Sequence, residues 1–286
     1  MVSKTVMSKW VNAAVSNDDI QFRQAVHIVL HALSSDKQTA DAFILKGGIL
    51  LALKFGSTRF TRDIDFSCIS SYSEFSEIDF RAGLDKSLKR SILTVDYDLE
   101  MKIQKIEKKP NEKKIPNPRF PALKITIGYC KKGSLREGRT LSNVISIDIS
   151  YNDYYNQESD LFSDEINLKC YSLQEVMAEK IRSVLQQVER NRSRRQDIYD
   201  LNYMINNFCQ KTEQEKNEVF QMLIDKSTGK GIENYLNRNG LEDPEIKESS
   251  KKNYKTLESE VPGQLPDFEA SYANVNQYFQ SLPWPC

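Results

Sequence analysis

The sequence predicts an α+β protein: a mixed β-sheet flanked by helices over residues 1–165, then a mainly helical part over 166–286 with a loop-rich tail. Two patterns carry this expectation. Several runs before residue 150 alternate apolar and polar residues with period two, the mark of half-buried strands. From about residue 172 the apolar residues recur at helical spacing instead. A third observation, a glycine pair followed by an acidic strand, marks where chemistry is to be sought.

In chain order, Phe22, Val26, Val29, Leu30 and Leu33 predict a helix over 18–33. His27 and His31 sit four apart on it, but no metalloprotease-type context surrounds them, so a structural role is expected. Phe43-Ile44-Leu45 is a short apolar entry, followed by Gly47-Gly48 and a helix over Ile49 to Phe55 that Gly56-Ser57 ends. Ile64 and Phe66 alternate with Asp63 and Asp65, which predicts a strand. Residues 72–93 read as helical. Val95, Tyr97, Leu99, Met101 and Ile103 read as one long strand, and the Lys- and Pro-rich stretch 104–121 as a loop. Leu123 to Tyr129 and Ile145 to Ile149 alternate as two further strands, separated by a turn over Gly133 to Gly138. Ser172 with Glu175 is a capping box and opens the helical part, with helices expected over 172–189, 195–209 and 213–226. The tail from 240, with five prolines, is expected to be mostly loop with a short helix near 268–281.

Composition bounds function only loosely. At 286 residues the chain holds one large or two modest domains. Forty basic residues balance forty acidic ones, so a case for nucleic acid must rest on local clusters. No apolar run reaches the roughly 18 residues of a membrane span, and no secretory signal is visible. The five dispersed cysteines fit a reduced, cytoplasmic protein.

The acidic strand is the sharpest signal. Residues i and i+2 of a strand share a face, so Asp63 and Asp65 project together, roughly 7 Å apart. Asp148 lies on a later strand with the same alternation. Three carboxylates on one face repel each other unless cations lie between them. Magnesium suits carboxylates combined with phosphate oxygens, and two such ions about 4 Å apart are the known device for activating an attacking oxygen and stabilising a leaving group. Asp148 is also a candidate acceptor for the proton of an incoming hydroxyl. Gly47 and Gly48 let backbone approach phosphates, and the helix after them aims free N–H groups at an anion. Lys46, Arg59 and Arg62 add positive charge, and Thr61 a hydroxyl. Asp96 and Asp98 form a second Asp-x-Asp, read as a solvated face.

Two charges fall on apolar helix stripes. Lys180 lies between Val176 and Val184, while Glu175, Glu179 and Arg182 fall on the opposite side, where solvent is expected. Asp197 lies within the stripe of Ile198, Leu201, Met204, Ile205 and Phe208. Each needs a partner or a ligand. A structural Lys180–Asp197 pair and a pair facing a cleft with a triphosphate satisfy helix geometry equally.

Lys46-Gly47-Gly48, Arg59-x-Thr61-x-Asp63-x-Asp65, Glu175-x-x-Ala178-Glu179-Lys180 and Arg194/Arg195-x-Asp197-Ile198-Tyr199-Asp200 occur in that order over residues 46–201. This set resembles the AbiEii/AbiGii-type nucleotidyltransferase toxins of the DNA polymerase β superfamily, related to MenT-type toxins. The resemblance implies a nucleotidyltransferase domain followed by a helical domain, and an enzyme that transfers a nucleoside monophosphate from an NTP (GTP or CTP) to RNA, with the tRNA 3′ end as the expected acceptor. It implies Mg2+, two ions held by Asp63, Asp65 and Asp148, and a triphosphate held by Lys46, Gly47, Gly48, Arg59, Thr61 and Lys180. It favours the functional reading of Lys180 and Asp197 and implies a cognate antitoxin, a winged-helix DNA-binding protein. One departure is Gly47-Gly48, where the superfamily often carries Gly-Ser. Transfer to a small-molecule or protein hydroxyl, and a catalytically silent partner-binding chain, are the competing readings. The lysines of 102–114 read as a solvated loop, and Arg190, Arg192, Arg194 and Arg195 as a triphosphate or RNA contact.

Overall fold

The computed structural model describes residues 7–14, 16–110, 120–136, 138–151, 158–163 and 166–285. The described residues form two compact units. The first runs to Gly56, then from Thr61 to Cys170; the second takes Ser57–Phe60 and everything from Tyr171 onward.

The first unit is a mixed sheet with helices. Its elements are α1 (Met7–Asn12), α2 (Asn17–Ser35), α3 (Lys37–Ala42), β1 (Phe43–Lys46), α4 (Gly47–Phe55), β2 (Asp63–Cys68), α5 (Glu77–Val95), β3 (Leu99–Lys109), β4 (Ala122–Lys131), β5 (Val144–Tyr151), β6 (Glu158–Ser163) and β7 (Ile166–Tyr171). The sheet has seven strands in the order β3-β4-β5-β2-β1-β7-β6. β2 and β5 run parallel, as do β1 and β7, while β1–β2, β3–β4 and β4–β5 are antiparallel. β7 completes the sheet at β1, so the first unit reaches past residue 165 to Cys170.

Alternation gives the sheet one apolar face. Ile125, Ile127, Ile145, Ile147 and Ile149 are fully buried, each such side chain contributing about 1.5–3 kcal/mol. α2 and α5 pack on each other and against β3, and α2 also meets β5. His27 and His31 lie in that helical layer. Their Nδ1 atoms are hydrogen-bonded to Tyr97 Oη at 2.9 Å and Ser91 Oγ at 2.8 Å.

Three expectations for this unit need correction. α5 continues to Val95, so Val95 and Tyr97 are not strand residues. Asp96 is its C-cap in the left-handed region (φ 54°), a conformation that aspartate tolerates, and Asp98 precedes the strand. The second Asp-x-Asp is therefore a helix end and a turn. β3 also runs on to Lys109 where a loop was expected from 104. A β-bulge between Ile103 and Lys105 resets the alternation there and hides the strand period. Residues 111–114 of the lysine-rich stretch lie outside the described residues.

The second unit is helical: α6 (Leu173–Leu185), α7 (Arg195–Asn207), α8 (Glu213–Ser227), α9 (Pro244–Lys251) and α10 (Phe268–Gln280). Ser172 caps α6, its hydroxyl accepting from the Glu175 N–H at 3.1 Å. The tail is more ordered than expected. Asp243 caps α9 with Pro244 at its first position, where proline starts a helix rather than breaking one. Tail residues such as Ile246, Leu257, Val275 and Phe279 are buried. Glu175 and Arg182 are also buried, against the expectation of a solvent face, because α8 packs on that side of α6. Lys226 of α8 reaches Glu179 at 3.4 Å and also pairs with Glu175.

Candidate active site

Strand register assembles the acidic group of the first unit. Lys46 stands opposite Asp65, Asp65 opposite Asp148, Asp148 opposite Lys124, and Lys124 opposite Glu107. Directly opposed residues project from the same face. The result is one row across β1, β2, β5, β4 and β3, reading Lys-Asp-Asp-Lys-Glu. Asp63 lies two residues from Asp65 on the same face of β2 and is exposed, whereas Asp65 is half-buried. Parallel strands are about 4.8 Å apart, so the Asp65–Asp148 juxtaposition is a repulsive one that Lys46 and Lys124 flank.

The electrostatics follow that arrangement. Lys124 Nζ stands 3.7 Å from Asp148 Oδ2. Burial raises the Asp148 carboxyl above the usual range; Lys124 opposes the shift and Asp63 adds to it. Lys46 is buried, and its Nζ donates to Ser150 Oγ at 3.5 Å.

Gly47 fits this group for two reasons. Its φ is 74°, and a Cβ added there would stand 2.2 Å from Asp65 Oδ2. The Asp65 carboxylate thus lies against bare backbone at the start of α4, where an anion is favoured. Gly47→Ala is expected to displace Asp65 and to cost about 1–2 kcal/mol through the left-handed backbone. Thermal melting together with magnesium titration checks this: an unchanged melt and an unchanged magnesium response would contradict it. Gly48 is the second residue of α4, and Thr61 and Arg62 directly precede β2.

Among the described residues, no three acidic, histidine or cysteine side chains stand close enough to hold an ion by themselves. The donor set still has the right chemistry for magnesium: hard carboxylate oxygens on one open sheet face, with the other ligands left to phosphate oxygens and water. Asp63, Asp65 and Asp148 are the carboxylates of this face that would contribute to such a site.

Lys180 and Asp197 lie in the second unit, in a buried network. Lys180 Nζ donates to Asp197 Oδ1 and to Asp200 Oδ2, each at 2.8 Å. Arg59 binds Asp200 through two parallel hydrogen bonds of 2.9 Å, the bidentate geometry that suits guanidinium. Glu260 approaches Arg59 at 3.4 Å and Arg195 at 3.0 Å. Burial opposes the charge on Lys180, yet Asp197 and Asp200 hold its pKa above the usual value. Burial likewise opposes the charge on Asp200, but Arg59 and Lys180 pull its pKa down to about 2. Asp200 was not among the expected site residues. It is fully buried and takes three of the hydrogen bonds just described. Its spacing from Asp197, i and i+3 on one helix face, was the available signal.

A family model described as "Nucleotidyl transferase AbiEii toxin, Type IV TA system" matches residues 28–280. The chain belongs to that family. It is therefore a nucleotidyltransferase of the AbiEii toxin family, and membership implies an antitoxin partner. No curated protein matches in sequence.

Solved structures agree on the fold. A putative nucleotidyltransferase from Helicobacter pylori is 16% identical, with a TM-score of 0.55 over 93% of this chain and 95% of that one. JHP933 from Helicobacter pylori gives 16% and 0.53, over 93% and 92%. The nucleotidyltransferase toxin MenT4 from Mycobacterium tuberculosis gives 16% and 0.51, over 96% and 88%. Among the described residues of this AbiEii-family chain, no helix is long and apolar enough to cross a membrane.

Proposed function

We propose that this chain transfers a nucleoside monophosphate from an NTP to an RNA acceptor, the 3′ end of tRNA, and releases pyrophosphate. The observation that carries the proposal is the register of β2 and β5, which sets Asp65 beside Asp148 with Asp63 on the same face. In this reading Asp63, Asp65 and Asp148 hold magnesium. When bound, the metal would supply charge neutralisation for the triphosphate and for the leaving pyrophosphate. The acceptor hydroxyl oxygen bonds to the α-phosphorus while the α–β phosphoanhydride bond breaks. Its proton passes to the Asp148 carboxylate.

Gly47, Gly48 and the first N–H groups of α4 receive phosphate oxygens, with Lys46 and Thr61 beside them. Lys180, Asp197 and Arg59 are assigned to positioning rather than phosphate contact. Lys180 is only 7% exposed and Arg59 8%, and both already pair with carboxylates. The antitoxin is a winged-helix DNA-binding protein in this reading, and action on tRNA places the enzyme in the cytoplasm.

Incubation with total RNA and each labelled NTP in turn tests the proposal. Label is expected in the tRNA fraction, with one NTP preferred and magnesium required. Label found only in small hydroxyl compounds or in protein would overturn the RNA acceptor.

A further inference from the structure

The carboxylate face of the sheet does not stop at Asp148. Beyond it, β4 and β3 carry Lys124 in the same row, Lys109 one row to one side and Lys105 one row to the other, opposite Ala122 and Thr126. Only the bulge between Ile103 and Lys105 makes this so. Unbroken alternation would put Lys105 on the apolar side with Ile103. With one extra residue, Lys105, Glu107 and Lys109 turn to the carboxylate face and Ile106 is buried on the other. A bulge that re-aims side chains beside a reactive centre is a recognised use of the device.

The side chains of Lys105, Lys109 and Lys124 are 62%, 51% and 40% exposed. Glu107 is shared, at 2.9 Å from Lys105 and 3.5 Å from Lys109. Two lysines therefore divide one carboxylate, and the third leans on Asp148. Thr126 and Ser150 supply hydroxyls on the flanking rows, and on β4 Ala122 is the apolar residue between Lys109 and Ser150. A protein interface core is apolar and aromatic and depleted in lysine. An exposed, lysine-rich, hydroxyl-bearing strip instead matches a phosphate backbone.

We propose that Lys105, Lys109 and Lys124 form a rail for the backbone phosphates of the RNA acceptor, leading its 3′ end to Asp148. The inference rests on the RNA-transfer reading above and adds the surface that receives the acceptor. Lys105 and Lys109 are four residues apart on β3, about 13 Å by strand rise, so the rail spans more than one phosphate.

The test is a salt titration of binding to a fluorescein-labelled single-stranded oligoribonucleotide, read by anisotropy, without NTP. Each phosphate neutralised on a single strand contributes about 0.7 to the slope of log affinity against log salt. The variant K105Q/K109Q/K124Q is expected to flatten the slope by about 2, and K105Q/K109Q, which keeps the neighbour of Asp148, by about 1.4. K131Q, on exposed lysine elsewhere, is expected to leave it unchanged. All three are surface changes whose melting temperatures should equal wild type. An unchanged slope in the triple and double variants, with wild type binding RNA, overturns the rail and leaves the transfer reading standing. Loss of antitoxin binding with RNA binding intact also overturns it, by making the strip a protein surface. Slopes that flatten as expected support the rail even if wild type labels no RNA, which would sink the transfer reading alone.

Discussion

Asp65→Asn is expected to abolish nucleotide transfer while leaving the protein folded. Asp65 is the second residue of the five-strand row, between Lys46 and Asp148, and stands against Gly47. Replacing its carboxylate removes a hard ligand and the negative charge opposite Asp148 on the neighbouring strand. A loss of at least about a thousandfold is expected, the upper end of what one lost electrostatic contact to a transition state costs. Stability should change by less than about 1 kcal/mol, because asparagine keeps the volume of this part-exposed side chain. Two readouts check this together: labelled-NMP incorporation, and the rise in melting temperature that magnesium with NTP gives to wild type. Retained incorporation would remove Asp65 from the catalytic group. Lost incorporation with a collapsed melt would mean a structural role instead.

Asp200→Ala is expected to have the largest effect on stability. The carboxylate is fully buried and is shared by Arg59 and Lys180. Its removal leaves a guanidinium and an ammonium buried with fewer counter-charges, and breaking such a network from one side costs about 3–5 kcal/mol. A fall in melting temperature on the order of 10 °C is expected. The pH dependence has a definite sign. The folded pKa of Asp200 is about 2, below the unfolded value of about 3.9. Its contribution is therefore fully present above about pH 4 and lost as pH falls through about 2. Asp200→Asn keeps the volume and removes the titration, so acid unfolding of that variant should lack this component. Urea melts at several pH values compare the two. A variant as stable as wild type at neutral pH would show that Arg59 and Lys180 do not need the Asp200 carboxylate.

Much of this was legible where the signal is local. The glycine pair, the Asp-x-Asp strand and the capping box at Ser172 each depend on a few adjacent residues, and each element formed where expected. Lys180 was marked by a helical stripe that has no room for a charge, and it is buried between carboxylates. What stayed hidden depends on distant partners. Nothing near Glu175 shows that α8 will bury it. Nothing near Lys105 shows that a bulge will turn it to the carboxylate face, and the same bulge broke the period that would have extended β3 to Lys109. The polar, proline-bearing tail was expected to be mostly loop, but Pro244 with Asp243 before it starts a helix there. Asp148 had the right alternation, but only its register with Asp65 makes the two one group.

That register also fixes when the carboxylate group can come together. Asp65 and Asp148 belong to neighbouring strands but are separated by the whole of α5, β3 and β4. A ribosome adding roughly 5–20 residues per second delivers the second carboxylate several seconds after the first. Until β5 has emerged and inserted between β4 and β2, the growing polypeptide holds only part of the carboxylate group. A long loop must close before that strand pairing can repay its entropy. On the proposed assignment, the carboxylate group is complete only once most of the sheet has been synthesised.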